Sequence, residues 1–137
     1  MKRLESHWAL LRDLWKPAKA LIEHAEKVGA TWAVEWPSRN RYWREPLEPK
    51  FFAARAFYDA LMDGCMHGLV ATRTGAVGRP MKKRWRIRSN STIFAEFLHR
   101  TCDGSHTHVP VEGRDTKPTE NYTEDFVRRV LEAWTNV

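Results

Sequence analysis

Leu4, Trp8, Leu11, Trp15, Ala18, Ile22 and Ala25 stand alternately four and three residues apart. Only an α-helix turns that spacing into one continuous apolar stripe. Arg12, Asp13, Lys19 and Glu26 fall off the stripe, so the opening segment is predicted to be an amphipathic helix over about residues 3–28, with Gly29 just beyond it as a C-terminal stop. Pro17 lies inside and has no backbone N–H to donate. It marks either a kink or the first turn of a second helix. The stripe suits packing on a sheet, the commoner use of such a pattern, with self-association or binding of a partner as the alternative.

The rest of the chain alternates helical and extended signals. Ala30 to Val34 is short and apolar and predicts a strand buried on both faces, ended by Glu35-Trp36-Pro37. Ser38 to Pro49 reads as a loop. Phe51, Ala54, Phe57, Tyr58 and Leu61 recur at helical spacing and predict a helix starting after Pro49 and stopping before Gly64. Cys65 to Val70 predicts a short strand, and Thr72 to Lys83, with Gly75, Gly78 and Pro80, a polar loop. Trp85-Arg86-Ile87-Arg88 alternates apolar with charged residues, the pattern of a strand with one face in water. Ser91 can cap a helix with Ile93, Phe94, Phe97 and Leu98 on its apolar side. Cys102 to Thr119 reads as a second polar loop. Thr123 caps a last helix that buries Phe126, Val127, Val130, Leu131 and Trp134. Helices interleaved with strands predict one α/β domain over residues 1–137, a small mixed or parallel sheet flanked by helices. Its parts are the opening helix, a strand-helix-strand-strand region over about residues 30–90, and a His/Cys loop with C-terminal helices over about residues 91–137.

With 137 residues, a second independent core would leave each half marginal. No run of about 18 apolar residues is present, and the start has no apolar signal core, so neither a membrane span nor secretion is expected. Cys65 and Cys102 are the two cysteines; they can make at most one bridge, which fits a reducing compartment, nucleus or cytoplasm. Lys and Arg total 23 against 17 Asp and Glu, for a net charge of +6, and the surplus is clustered. Between Thr72 and Asn90 stand Arg73, Arg79, Lys82, Lys83, Arg84, Arg86 and Arg88 with no acidic residue, and Arg39, Arg41 and Arg44 follow Pro37. Trp36, Trp43 and Trp85 lie among them. Cations interleaved with aromatics fit a nucleic-acid partner, DNA or RNA, through phosphate contacts and stacking; the alternative is tryptophans in the core beneath a solvated charged face.

Two groups of residues carry candidate chemistry. His99, Cys102, His106 and His108 offer four borderline-soft ligands in a short span, compatible with one tetrahedral Zn²⁺, with Gly104 giving the bend. Cys65 and His67 join them if the end of the sheet lies nearby. The alternative is a polar loop of titrating histidines, and a hydrolytic metal site of His106, His108, Asp103 and Asp115 is the weaker enzymatic variant. Glu35, where an apolar strand gives way to a loop, is placed to accept hydrogen bonds from a base edge. No Gly-x-Ser-x-Gly elbow, P-loop or His-Glu-x-x-His run is present, so acyl transfer, nucleotide hydrolysis and zincin proteolysis lack support.

The runs Ala33-Val34-Glu35-Trp36-Pro37, Tyr42-Trp43, Asp63-Gly64-Cys65-Met66-His67-Gly68-Leu69 and Lys82-Lys83-Arg84-Trp85-Arg86-Ile87-Arg88-Ser89-Asn90 resemble a divergent group of domains in mobile-element polyproteins. Those in turn resemble the distal half of the catalytic domain of cytosine-5 DNA methyltransferases. The resemblance implies part of a doubly wound domain, with Glu35 at the position of the glutamate that holds the target cytosine, His67-Gly68 at a Tyr-Gly turn and Arg84 to Arg88 at a basic strand. The glycine-rich turn for S-adenosylmethionine and the Pro-Cys nucleophile of that family are absent from the sequence. The expectation is therefore a nucleic-acid-associated module without a complete catalytic centre. Glu35 and Trp36 would meet a base, and Arg39, Arg41, Arg79, Lys82, Lys83, Arg84, Arg86 and Arg88 would meet phosphates. The alternatives are a methyltransferase fragment whose donor site comes from an upstream segment, and a structural or oligomerisation domain.

Overall fold

The computed structural model describes residues 2–44 and 47–137; Glu45 and Pro46, within the expected loop from Ser38 to Pro49, lie outside them. Residues 1–32 and 33–137 form two compact units. In the first, one helix, α1 (Lys2–Lys27), continues through Pro17. A missing backbone donor is one bond among many in a helix of this length. The stripe is the covered side: Trp15 and Ile22 are buried, Trp8, Leu11, Ala18 and Ala25 half-buried, and Leu4 exposed. After the stop at Gly29, the Trp32 indole N–H donates to Glu26 Oε1 at 3.2 Å. Among the described residues no helix is long and apolar enough to cross a membrane.

The second unit is built on a three-stranded sheet, β1 (Ala33–Pro37), β2 (Tyr58–Asp63) and β3 (Arg84–Ser89), in the order β1-β3-β2. Both pairings are antiparallel, which corrects the expected mixed or parallel sheet. That expectation came from a crossover helix over Phe51 to Leu61, and the segment folds otherwise. A short helix, α2 (Leu47–Ala53), ends early, and Tyr58 to Asp63 run extended along β3. Ala60 and Met62, alternate residues, are fully buried, while Leu61 between them disguises the period of two. Among the described residues, parallel contacts are confined to the isolated bridges Met62–Arg100 and Met81–Val109. The first strand also lies further along than expected. It includes Glu35, Trp36 and Pro37, and its residues are exposed to half-buried, as suits an edge.

Cys65 to Val70 is no strand. Gly64–His67 form a 3₁₀ turn closed by Gly68 at φ 74°, a left-handed conformation that favours glycine. At Gly64 a Cβ would meet the Leu69 side chain at 2.6 Å and the Lys83 carbonyl oxygen at 3.2 Å, so this close approach of chain segments favours glycine. The polar loop from Thr72 also folds inward at points: Ala76 and Met81 are buried, and Met81 pairs with Val109.

Pairing sets the two faces of the sheet. Trp85, Ile87 and Ser89 are buried and share a face with their partners Met62, Ala60 and Tyr58 on β2 and Pro37, Glu35 and Ala33 on β1. Two helices complete this core, α3 (Thr92–Leu98) and α4 (Glu124–Trp134). Ser91 Oγ accepts from the Phe94 N–H and Thr123 Oγ1 from the Phe126 N–H, each at 3.2 Å, as the sequence predicts. The helices turn inward on narrower sides than expected. Phe94, Ala95 and Leu98 are buried while Ile93 is exposed; Phe126 and Ala133 are buried while Val127, Leu131 and Trp134 are exposed. Thr123→Ala is expected to cost about 1 kcal/mol as the loss of a cap, lowering Tm by about 3–5 °C for a chain of this size. A melting curve identical to that of the parent would show that the cap does not stabilise α4.

Candidate metal centre and basic cleft

Four ligand atoms converge at one end of the sheet. Cys65 sits on the 3₁₀ turn that follows β2, Cys102 lies beyond α3, and His106 and His108 stand on the segment after it. One ligand atom from each lies within 4.8 Å of every other, and this Cys2His2 cluster can hold a metal ion. Cys102 Sγ is 3.7 Å from His106 Nε2 and 3.5 Å from His108 Nε2. Tetrahedral zinc with its usual bond lengths sets a sulfur-to-nitrogen separation of about 3.6 Å between ligands.

The surroundings hold these groups in place. Asp63, fully buried, receives the Cys102 N–H at 2.8 Å and a two-pronged contact from the Arg84 guanidinium at 2.7 Å on each oxygen. Burial pushes its carboxyl up, but the Arg84 and Cys102 donors outweigh burial and hold it below the usual carboxylate range. The Gly104 N–H points at Cys102 Sγ at 3.4 Å, and Asp103 accepts from the Ser105 N–H at 2.9 Å and hydroxyl at 2.6 Å, folding the tight bend between Cys102 and His106. His106 Nδ1 lies 3.3 Å from Ser105 Oγ, which leaves Nε2 for the cluster. Burial first, then the adjacent Cys102, pushes the Cys65 thiol up to about 11. A thiolate there requires a cation beside it.

Two expected ligands fall elsewhere. His99 is not in the cluster; its Nδ1 accepts the Leu61 N–H at 3.2 Å, because the residue sits at the end of α3 and faces β2. His67 is buried in the core with its ring edge toward Phe126 at 6.4 Å, and burial, with Arg100 and Arg129 nearby, lowers its pKa. Cys65 takes the fourth position. Its sequence signal is the Asp63-Gly64-Cys65 turn at the end of a strand, legible only once β2 is recognised. The hydrolytic grouping does not assemble, since Asp115 accepts from the Thr72 N–H at 2.6 Å and the Arg73 N–H at 3.2 Å and Asp103 is used by Ser105.

Glu35 lies mid-strand rather than at a strand end. Its Oε2 accepts the Tyr122 hydroxyl, and Oε1 is buried without a hydrogen-bond partner. Burial raises its pKa against the opposing effects of Tyr122 and Lys83, and burial with Glu35 raises that of Tyr122. As strand neighbours, Glu35 and Trp36 project to opposite faces, and Trp36 packs edge-on against Tyr42 and Trp43 at 5.4 and 4.7 Å. The residues brought to Glu35 are thus Tyr122 and Lys83, not Trp36.

The eight candidate phosphate contacts divide. Arg84 pairs with Asp63, and Arg88 with Asp59 at 2.7 and 2.8 Å, its guanidinium lying 3.8 Å above the Phe57 ring. Arg86 lies 5.4 Å from the Trp43 ring. Lys83 donates to the Thr119 carbonyl. Arg39, Arg41, Arg79 and Lys82 are exposed. Arg39, Lys82, Lys83 and Arg84 come together around one cleft of about 640 Å³, which Arg41, Arg79, Arg86 and Arg88 do not line. No protein-family model, curated protein or solved structure matches this chain.

Proposed function

We propose that the chain is a zinc-organised nucleic-acid-binding module without a catalytic centre of its own. Two thiolates and two imidazoles are the donor set that favours Zn²⁺ among common cellular metals, and four protein ligands leave no open position for substrate or water, which suits a structural ion. The observation that carries the reading is the tie between cluster and cations: Asp63 bonds the Cys102 N–H on one side and Arg84 of the basic strand on the other. Metal binding therefore fixes the start of the strand that Lys82 and Lys83 precede.

Binding of duplex DNA, single-stranded DNA and RNA by the zinc-loaded protein tests this. The logarithm of affinity is expected to fall with the logarithm of salt by about 3 to 4 on duplex DNA, as about four phosphate contacts require, and chelation should weaken retention at least tenfold. Binding that is absent at about 50 mM salt, where such contacts are strong, or that ignores chelation, refutes the proposal.

A further inference from the structure

We infer that the cleft lined by Arg39, Lys82 and Lys83 is a binding site for one 5′-nucleotide unit, its phosphate on Arg39 and Lys82 and its base directed toward Glu120. The inference rests on the nucleic-acid reading and names the site at which one nucleotide of the strand is held. The volume of about 640 Å³ exceeds what a bare phosphate fills and falls within the usual range for small-molecule sites. Arg39 and Lys82 are exposed; Lys82 is close enough to lower the Asp63 pKa, yet among the described residues neither cation is in a direct ion pair. A guanidinium fork and an ammonium on the lining of one cleft suit the non-bridging oxygens of a phosphate. Val111 and Pro37 add apolar surface for the sugar or a base face. Glu120, also on the lining and an acceptor only, repels a phosphate and suits a base edge rich in N–H donors, guanine above all.

The cations stand on fixed backbone. The Ser38 N–H bonds the Arg84 carbonyl at 2.9 Å, tying the turn that carries Arg39 to the start of β3. The Val109 N–H bonds the Pro80 carbonyl at 3.0 Å, so the chain leaving the ligand His108 runs beside the chain that leads to Lys82. Val111 then follows on the cleft wall. The segment that carries His108 thus braces the backbone leading to Lys82, and a preformed site loses less on binding than a mobile one.

GMP, UMP and inorganic phosphate are to be titrated into zinc-loaded protein by NMR or calorimetry at low salt, with Arg39→Ala, Lys82→Ala and Glu120→Ala variants checked for zinc content and Tm. GMP is expected to bind at least tenfold more tightly than phosphate and severalfold more tightly than UMP. Either cation variant should weaken GMP at least fivefold, and Glu120→Ala should erase the preference over UMP. GMP no tighter than phosphate, or unaffected by the cation variants, overturns the inference. An oligonucleotide titration on the same samples separates the two readings. Oligonucleotide binding that is unchanged in both cation variants overturns the cleft and leaves the module, whereas GMP binding without oligonucleotide retention supports the cleft and overturns the module.

Discussion

Purified under reducing conditions, the protein is expected to contain one equivalent of zinc and to lose about 12–20 °C of Tm on chelation. The figure follows from linkage. A ligand that binds only the folded chain at a free concentration about 1,000 times its Kd adds about 4 kcal/mol, and a chain of this size shifts by about 3–5 °C per kcal/mol. The effect should be large because an ion would cross-link two distant stretches, the turn at Cys65 and the Cys102–His108 loop. Cys102→Ser and His106→Ala should each abolish stoichiometric zinc. His99→Ala should keep it, since that imidazole serves the Leu61 N–H instead. Because the sulfur ligands are thiolates, binding displaces protons, and the apparent affinity should climb as pH rises. Metal-free protein whose melting curve ignores both added zinc and chelator would refute the site.

Sequence patterning and tertiary context contributed differently to that site. The alternation Trp85-Arg86-Ile87-Arg88 identifies β3, and Ser91 and Thr123 identify the starts of α3 and α4, because each signal is local: a period of two, or a hydroxyl three residues before the N–H it accepts. The α1 stripe is legible for the same reason. Tyr58 to Asp63 is misread because Phe57, Tyr58 and Leu61 extend the spacing begun in α2, and only pairing with β3 decides their conformation. With that strand lost, Cys65 falls in the wrong element and His99, three residues from Cys102, looks the better ligand. The loop spacing Cys102, His106, His108 is local and survives. A partner contributed from a point far along the chain is not. The basic run likewise announces its charge but not which cations are already taken, since Asp59 and Asp63, the partners of Arg88 and Arg84, lie on a different strand.

Asp63→Ala is expected to destabilise the fold by about 3 kcal/mol, the low end of the cost of breaking a buried ion pair, because Arg84 is part-exposed and can be rehydrated in part. The loss has two components. The Arg84 guanidinium forfeits both oxygens, and the Cys102 N–H beside the metal ligand is left without its acceptor. Asp63→Asn separates them, since its carbonyl oxygen can still serve Cys102 while the charge is gone; it should retain zinc stoichiometry with a lower Tm, whereas Asp63→Ala should also weaken zinc. The pH dependence follows from the sign of the shift. The Asp63 carboxyl is held below its ordinary value in the folded protein, so its contribution is fully present above the pKa of an unfolded aspartate, about 3.9, and fades as pH falls through the lower folded value. Acid should therefore act in order: ligand protonation releases the metal first, and Asp63 gives way only in stronger acid. In zinc-free samples, the stability difference between the parent and Asp63→Asn should be constant above about pH 5 and shrink below about pH 4, where even the unfolded aspartate takes up its proton. A difference that instead grows as pH falls would show that the carboxylate is not the stabilising partner of Arg84.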